Sequence, residues 1–247
     1  MKNIVLAAGY ATRLYPLTEN FPKPLLTIGG KTILDRLLED IDRIDAIDEH
    51  IIVTNHRFIR HFEHWKSNNS YQKKIVLIDD GSTDNEHRLG AVNDMLLAID
   101  TKELCNEDIL VMAADNLLDF SLKGFVDSFI IYQSSMIMCY YEPSVEALQK
   151  TGVIILDKSN RVIEMQEKPQ NPRSNWAVPP FYIFRKEDIS KIKTCIVEGC
   201  ATDAPGNLVN SMLNKTFFHA WKMPGKRVDI GTLECYNNIK KQKSINS

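Results

Sequence analysis

The sequence has no CxxC pair, and its five cysteines (Cys105, Cys139, Cys195, Cys200 and Cys235) are scattered and odd in number. A zinc knuckle or dithiol redox motif is therefore not signalled, and idle thiols in a reducing interior fit the pattern. No run approaches the roughly 18 apolar residues that span a bilayer. The apolar stretch Ile4–Ala8 is too short for a secretory signal and lacks a small-residue cleavage site. A cytoplasmic chain with no membrane contact is predicted. Charge of one sign is missing too, since 30 Lys and Arg stand against 32 Asp and Glu, a net charge of -2. Without clustered cations a nucleic-acid partner is not expected, although a local anion pocket remains open. At 247 residues the chain buries roughly 70–75% of its unfolded surface, so it needs no disulfide or metal staple.

What is present is an alternation of strands and helices. Ile4–Ala8, Ile51–Thr54, Ile75–Ile78 and Ile109–Ala113 read as fully buried strands, because their apolar character is continuous rather than alternating. Between them, Leu34, Leu37, Leu38 and Ile41 share a face of a helix from about Thr32 to Ile44, and Val92, Met95, Leu96 and Ile99 share another. This predicts an α/β fold, a doubly wound, mostly parallel sheet with ligands at the carboxyl ends of its strands. After about residue 134, Met136–Tyr141, Val153–Leu156, Val162–Gln166 and Phe181–Phe184 are closely spaced strands. They suggest further sheet laid over the first part as one wall of a cleft. A last helix runs from about Thr232 to Lys241, followed by a polar tail, Lys240–Ser247, expected to fray.

The first strand leads into Ala7-Ala8-Gly9-Tyr10-Ala11-Thr12-Arg13-Leu14, then Pro16, Thr18 and Pro22-Lys23-Pro24-Leu25. Small residues after a buried strand let backbone N–H groups approach an anion. Arg13 adds a forked cation and Lys23, between two prolines, a point charge. No Gly-Lys-Ser/Thr follows, so this is not a Walker loop. Ala11 stands where a dinucleotide GxGxxG would have its second Gly.

The run Leu6–Leu25 resembles the opening LAAGxGTRLxPLT…PKPL of the nucleoside triphosphate:sugar-1-phosphate nucleotidyltransferases, the group containing glucose-1-phosphate thymidylyl- and uridylyltransferases. Ala11 in place of Gly is the one departure noted there. Later segments match in the family's order: Ala114-Asp115-Asn116, Thr151-Gly152-Val153, Gln166-Glu167-Lys168-Pro169, Ala177-Val178 and Val228-Asp229-Ile230-Gly231-Thr232. The resemblance implies a Rossmann-like, GT-A-like core with a small additional sugar-binding sheet layer. It implies one domain over 1–247, with residues 1–133 mainly nucleotide-binding, 134–231 mainly sugar-phosphate-binding, and 232–247 a helix and tail.

It also implies roles. Leu6, Ala7, Ala8 and Gly9 meet the nucleoside through their backbone, Thr12 and Arg13 the triphosphate, and Gly90, in Arg88-Leu89-Gly90-Ala91, the base. Asp115 and Asp229 hold Mg²⁺, and Asp115 also lies near the ribose. Gly152 and Val178 offer backbone to the sugar, Glu167 accepts from its hydroxyls, and Lys168 pairs with its phosphate. Arg13, Lys23, Asp115, Lys168 and Asp229 form the catalytic set. The partners are an NTP and a sugar-1-phosphate, and a homo-oligomer is compatible with the family. Members with an added β-helix carry acetyltransferase activity or regulation. The chain stops soon after Asp229, so no second activity is expected.

Three departures bear on the acceptor: Thr151 for Tyr, Gln166 for an acid, and Pro179-Pro180-Phe181 for a Gly-containing strand. They leave open a cytidylyltransferase acting on a non-sugar phosphate such as phosphocholine. A silent regulatory subunit is disfavoured by the retained charge set. The run Asp79–Asn85 resembles the nucleotide loop of inverting glycosyltransferases, but their Asp-x-Asp is absent and an ordinary polar loop is expected. His56, His61 and His64 fall in or near one helix and are read as a solvated face, because no third ligand converges on them.

Overall fold

The apolar runs are strands, the first ending at Leu6 so that Ala7 and Ala8 belong to the loop, and the segments between them are helices, in a computed structural model that describes residues 1–245. The first half contains β1 (Lys2–Leu6), β2 (Thr27–Ile28), β3 (Lys31–Thr32), α1 (Ile33–Ile41), β4 (Glu49–Thr54), α2 (Ile59–Ser67), β5 (Lys74–Asp79), α3 (Ala91–Thr101), β6 (Ile109–Ala113) and β7 (Asn116–Leu118). There follow α4 (Lys123–Tyr132), β8 (Ser135–Tyr141), α5 (Val145–Leu148), β9 (Gly152–Leu156), β10 (Val162–Glu167), β11 (Trp176–Val178) and β12 (Phe181–Phe184). The chain ends with α6 (Lys186–Val197), α7 (Pro205–Met212), β13 (Phe218–Lys222), β14 (Arg227–Asp229) and α8 (Leu233–Ile245). The chain divides into two interleaved units, Met1–Ile4 with Leu89–Met112 and Gly124–Pro224, and Val5–Arg88 with Ala113–Lys123 and Gly225–Ser247.

In the first unit the strands run β10-β9-β11-β8-β12-β6. β12 pairs antiparallel with β6, from Phe181↔Met112 to Phe184↔Ile109, and also with β8. β13 runs parallel to β8. The strands expected after residue 134 are present. They join β6 edge to edge through β12 rather than stacking on it as a detached sheet, so this end of the sheet is mixed rather than parallel.

In the second unit β4 and β5 are parallel, from Glu49↔Lys74 to Thr54↔Asp79. β4 is buried along its whole length, but β5 is only half-buried. The expectation of a fully buried Ile75–Ile78 is thus corrected. β5 is an edge strand with a neighbour on one side only, and a continuous apolar run cannot tell an edge from a centre.

α1 starts where its sequence provides a capping box. Thr32 Oγ1 accepts from the Asp35 N–H at 2.9 Å, and Asp35 Oδ2 accepts from the Thr32 N–H at 3.0 Å. Its buried face is Ile33, Leu34, Leu37, Leu38 and Ile41. The helix stops at Ile41 instead of Ile44. Its C-cap, Asp42, is held away by the N–H groups of Gln72 and Lys73, at 2.7 and 2.8 Å, and an anion there opposes the helix dipole. At the other end of the chain α8 continues to Ile245, so the tail is helical over most of the length expected to fray. Asn246 and Ser247 lie outside the described residues.

Asp42 also meets His50, which is fully buried, at 3.3 Å. Burial lowers the His50 pKa below the usual 6.5, and the Asp42 contact only partly opposes it. A histidine depressed in the folded state is protonated first in the unfolded chain, so folding stability is lost as pH falls below about 6.5. Asp42 is pushed up by burial, but the Gln72 and Lys73 N–H bonds more than offset this, and its contribution is lost only as pH falls below the ordinary 3.8. Denaturant titrations of wild type and His50→Asn should differ in slope between pH 7.5 and 5, the variant losing less stability. Parallel curves would count against His50 as the source of this limb.

Candidate active site

The second unit assembles its charged groups around one hydrophobic cluster, made of Leu14, Leu26, Ile28, Ile33, Ile230 and Tyr236, with Ala11, Leu117 and Ile239 against it. Each anchor sits beside a candidate residue. Leu14 follows Arg13, Leu26 closes the turn that starts at Lys23, and Ile230 follows Asp229.

The loop after β1 is pinned at several points. The Ala7 N–H donates to Val53 O at 2.8 Å and the Ala114 N–H to Leu6 O at 3.1 Å. Asn55, fully buried, donates from Nδ2 to Ala8 O at 2.9 Å and accepts the Phe58 N–H at 3.0 Å. Gly9 is exposed, and a Cβ there would touch nothing in the chain, so its backbone is open to a ligand. Leu6, Ala7, Gly9, Ala11, Lys23, Pro24, Ala114 and Asp115 border a hollow of about 140 Å³.

Ala11 has φ 49° and ψ 43°, the left-handed region. The family pattern has Gly there, and the carbonyl of Ala11 is held by Thr18 Oγ1 at 2.8 Å. Relief of the left-handed cost, about 1 kcal/mol, is offset by the lost methyl packing and by the freer unfolded chain. Ala11→Gly should therefore melt within about 0.5 kcal/mol of wild type. Ala11→Val, with a β-branched side chain in this region, should cost about 2 kcal/mol. Equal stabilities for Gly and Val variants would contradict the strain argument.

Lys23 is buried, and its Nζ donates to Asp115 Oδ2 at 2.9 Å and stands 3.8 Å from Asp229 Oδ1. The pairing of β7 with β14, Asp229↔Asn116, brings the two carboxylates together, and the Ile230 N–H donates to Asp115 O at 3.2 Å. Asn116, fully buried, donates from Nδ2 to Asp115 Oδ1 at 2.7 Å and accepts from Arg227 Nη1. Asp229 is half exposed, and partial desolvation together with the Asp115 charge raises its pKa, opposed by Lys23, Arg227 and the exposed Arg13. Lys23 serves both carboxylates and Arg227 stands 4.0 Å from Asp229 Oδ2, so the pair is compensated by side chains at its edge while its oxygens stay partly open to solvent. Among the described residues no three His, Cys, Asp or Glu side chains converge as a complete ligand set. An oxygen-only pair fits Mg²⁺, which keeps several waters and needs few protein ligands.

The remaining candidates lie in the first unit, in register across adjacent strands. Gly152 faces Glu167 of β10 and Val178 of β11. Thr151 Oγ1 donates to Val178 O at 3.0 Å, so the residue in place of Tyr ties two strands together. Lys168 has φ 44°, its N–H donates to Thr151 O at 3.1 Å, and its Nζ lies 3.8 Å from Glu167 Oε1. Gly90 precedes α3 at φ 90°, where a Cβ would lie 2.8 Å from Thr202 O. The structure thus gathers Leu6–Gly9, Thr12, Arg13, Lys23, Asp115 and Asp229 in one unit. Gly90, Gly152, Glu167, Lys168 and Val178 belong to the other.

The acids of Asp79–Asn85 serve their own turns, with Asp79 and Asp80 accepting the Gly81 and Ser82 N–H groups. His61 packs edge-on against Phe21 and Phe58, and Trp176 against Tyr141 with Lys222 over its ring. Arg227 is the functional candidate the sequence reading missed. Its spacing of two from Asp229 on one strand puts both on one face, which was the available signal.

Solved structures share this fold. UDP-glucose pyrophosphorylase complexed with UDP-glucose superposes with a TM-score of 0.83 at 22% identity, over 100% of this chain and 99% of that one. UTP-bound UGPase from Acinetobacter baumannii gives a TM-score of 0.80 at 14% identity, over 100% of this chain and 94% of that one. The class defined is that of an α/β nucleotidyltransferase fold. The family model for nucleotidyl transferases matches residues 2–244, and the chain belongs to that family. It is similar to bifunctional protein GlmU of Methanococcus aeolicus, 32% identical over 78% of this chain and 42% of that protein. It is also similar to glucose-1-phosphate adenylyltransferase of Fervidobacterium nodosum, 27% identical over 96% of this chain and 60% of that protein. The chain thus spans less than two thirds of the length of these relatives. Among the described residues no helix is long and apolar enough to cross a membrane.

Proposed function

We propose that the chain transfers a nucleotidyl group from an NTP to a sugar-1-phosphate in the cytoplasm, with Mg²⁺, releasing pyrophosphate. The observation that carries this reading is Lys23 between Asp115 and Asp229 at the edge of the hollow after β1. A phosphate oxygen of the acceptor forms a bond to the α-phosphorus, the bond to the β-phosphate bridge breaks in line, and its electron pair leaves with pyrophosphate. The nucleophile is already an anion, so no general base is required. The need is for charge neutralisation and alignment. Leu6–Gly9 present backbone to the nucleoside, Gly90 borders the base, and Thr12 and Arg13 bind the triphosphate. Lys23 donates to the phosphates at the reacting centre. Gly152, Val178 and Glu167 orient the sugar, and Lys168 pairs with its phosphate. Asp115 and Asp229 would hold Mg²⁺, which supplies Lewis-acid neutralisation of the α-phosphate charge.

The names of the relatives support a sugar phosphate as acceptor, and the departures at Thr151, Gln166 and Pro179–Phe181 make a non-sugar phosphate the competing outcome. Pyrophosphate release from each of four NTPs, against several sugar-1-phosphates and phosphocholine, with and without Mg²⁺, decides. Mg²⁺-dependent release with a sugar-1-phosphate is expected. Release with phosphocholine alone would replace the sugar assignment, and no release from any pairing would overturn the enzyme reading.

A further inference from the structure

We infer that Gly206, the second residue of α7, is a positioning residue for the acceptor, because it leaves the space in which the Glu167 carboxylate sits. The inference deepens the function proposed above and rests on it for the role of Glu167. Glu167 ends β10, and its side chain is only 17% exposed. Its nearest cation is Lys168 Nζ at 3.8 Å, beyond hydrogen-bonding reach. Burial raises its pKa, the Asp203 charge adds to this, and Lys168 only partly opposes it. Among the described residues no hydrogen-bond donor offsets that burial. A carboxylate kept this dry without donors is unfavourable for folding alone, and it is suited to donors that arrive with a polyhydroxylated ligand.

What fixes the carboxylate is steric. A Cβ on Gly206 would lie 2.1 Å from Glu167 Oε2 and 2.6 Å from Met165 Cε. A Cβ on Gly152 would likewise lie 2.5 Å from Met165 Cε, 3.3 Å from Val178 Cβ and 3.5 Å from Glu167 Oε2. Gly206 lies within a helix and not at positive φ, so its backbone does not call for glycine. Glycine is a poor helix former, and an alanine would favour α7. The contact with Glu167, and the Met165 methyl beside it, account for the glycine. An added methyl must displace the carboxylate by roughly 1 Å, a shift that costs reacting groups up to about 100-fold.

Gly206→Ala should therefore raise the KM for the acceptor phosphate by on the order of 10- to 100-fold, with the KM for the NTP changed by less than about twofold. In a Glu167→Ala background the same change should alter the acceptor KM by less than about twofold, because its effect runs through the missing carboxylate. Additive losses, or an NTP KM that rises alongside, would overturn the inference. Should Gly206→Ala fail to fold, thermal melts read the same cycle. Adding Glu167→Ala must then recover part of the lost stability, since it removes the nearest clashing atom and leaves only the Met165 methyl, and no recovery at all would equally overturn the inference. If wild-type protein releases no pyrophosphate from any pairing, the proposed function fails, and the melting cycle alone decides whether Gly206 seats Glu167.

Discussion

Asp115→Ala is expected to lower turnover by on the order of 1000-fold while leaving the metal-free protein folded. The expectation comes from the opposing demands on two neighbouring carboxylates. In the folded chain desolvation and, after it, the Asp115 charge raise the Asp229 pKa, so the two like charges oppose each other. Removing Asp115 relieves that repulsion but strips Lys23 of its partner at 2.9 Å and the Asn116 amide of its acceptor at 2.7 Å. Asn116 retains Ala113 O at 3.4 Å and Lys23 retains Asp229 at 3.8 Å, so each loss is about 1 kcal/mol, which the relieved repulsion partly offsets. The variant should melt within about 1 kcal/mol of wild type. The gain in melting temperature on adding Mg²⁺ should disappear, a gain that corresponds to about 2.7 kcal/mol at a hundredfold excess over Kd. Asp229→Ala should lose turnover likewise. Pyrophosphate release and melts with and without Mg²⁺ test both. Full activity in either variant would remove that residue from the metal assignment.

The sequence made the site's parts legible and left their assembly unread. Arg13, Lys23, Asp115 and Asp229 stand in motifs whose order survives in one dimension. Arg227 and Gly206 do not, because their roles arise only when β14 lies against β7 and α7 against β10. The same holds for the fold. β6 was readable at Ile109–Ala113 to the residue, since a central strand buried on both faces is apolar throughout. β5 looked the same in sequence and proved to be an edge. α7 opens on Pro205-Gly206-Asn207, which reads as a turn, and β13 is a short run with His219 and Lys222 among aromatics, so neither announces itself. α6 is different. Its Ile189, Ile192 and Ile196 have helical spacing, and the pattern was there to be read. Ala11 is also instructive, since sequence shows the departure from Gly but not the backbone angles it must adopt. The structure turns it into a question of backbone, with φ at 49°.

Lys23→Met should reduce turnover by on the order of 100- to 1000-fold and, against that loss, should tighten Mg²⁺ binding. Methionine keeps a buried aliphatic stem between Pro22 and Pro24 while removing the ammonium, so charge is tested apart from packing. Breaking a fully buried ion pair costs about 3–5 kcal/mol, but the side chains of Asp115 and Asp229 are 34% and 51% exposed. Water can replace much of what Lys23 gave them, and Arg227 stays 4.0 Å from Asp229 Oδ2. The stability loss should accordingly be nearer 1 kcal/mol. The metal effect has the opposite sign because Lys23 Nζ already compensates the Asp115 carboxylate that would hold Mg²⁺. Without the ammonium the two carboxylates carry a larger uncompensated charge, which a divalent cation answers better than water does. Lys23→Arg should not restore activity, since a planar fork cannot take the place of a point charge between two prolines. Calorimetric titration with Mg²⁺, set beside turnover, separates these effects. Weaker Mg²⁺ binding in Lys23→Met would mean that the lysine assists the metal instead of competing with it. Unchanged turnover would remove Lys23 from the reacting centre.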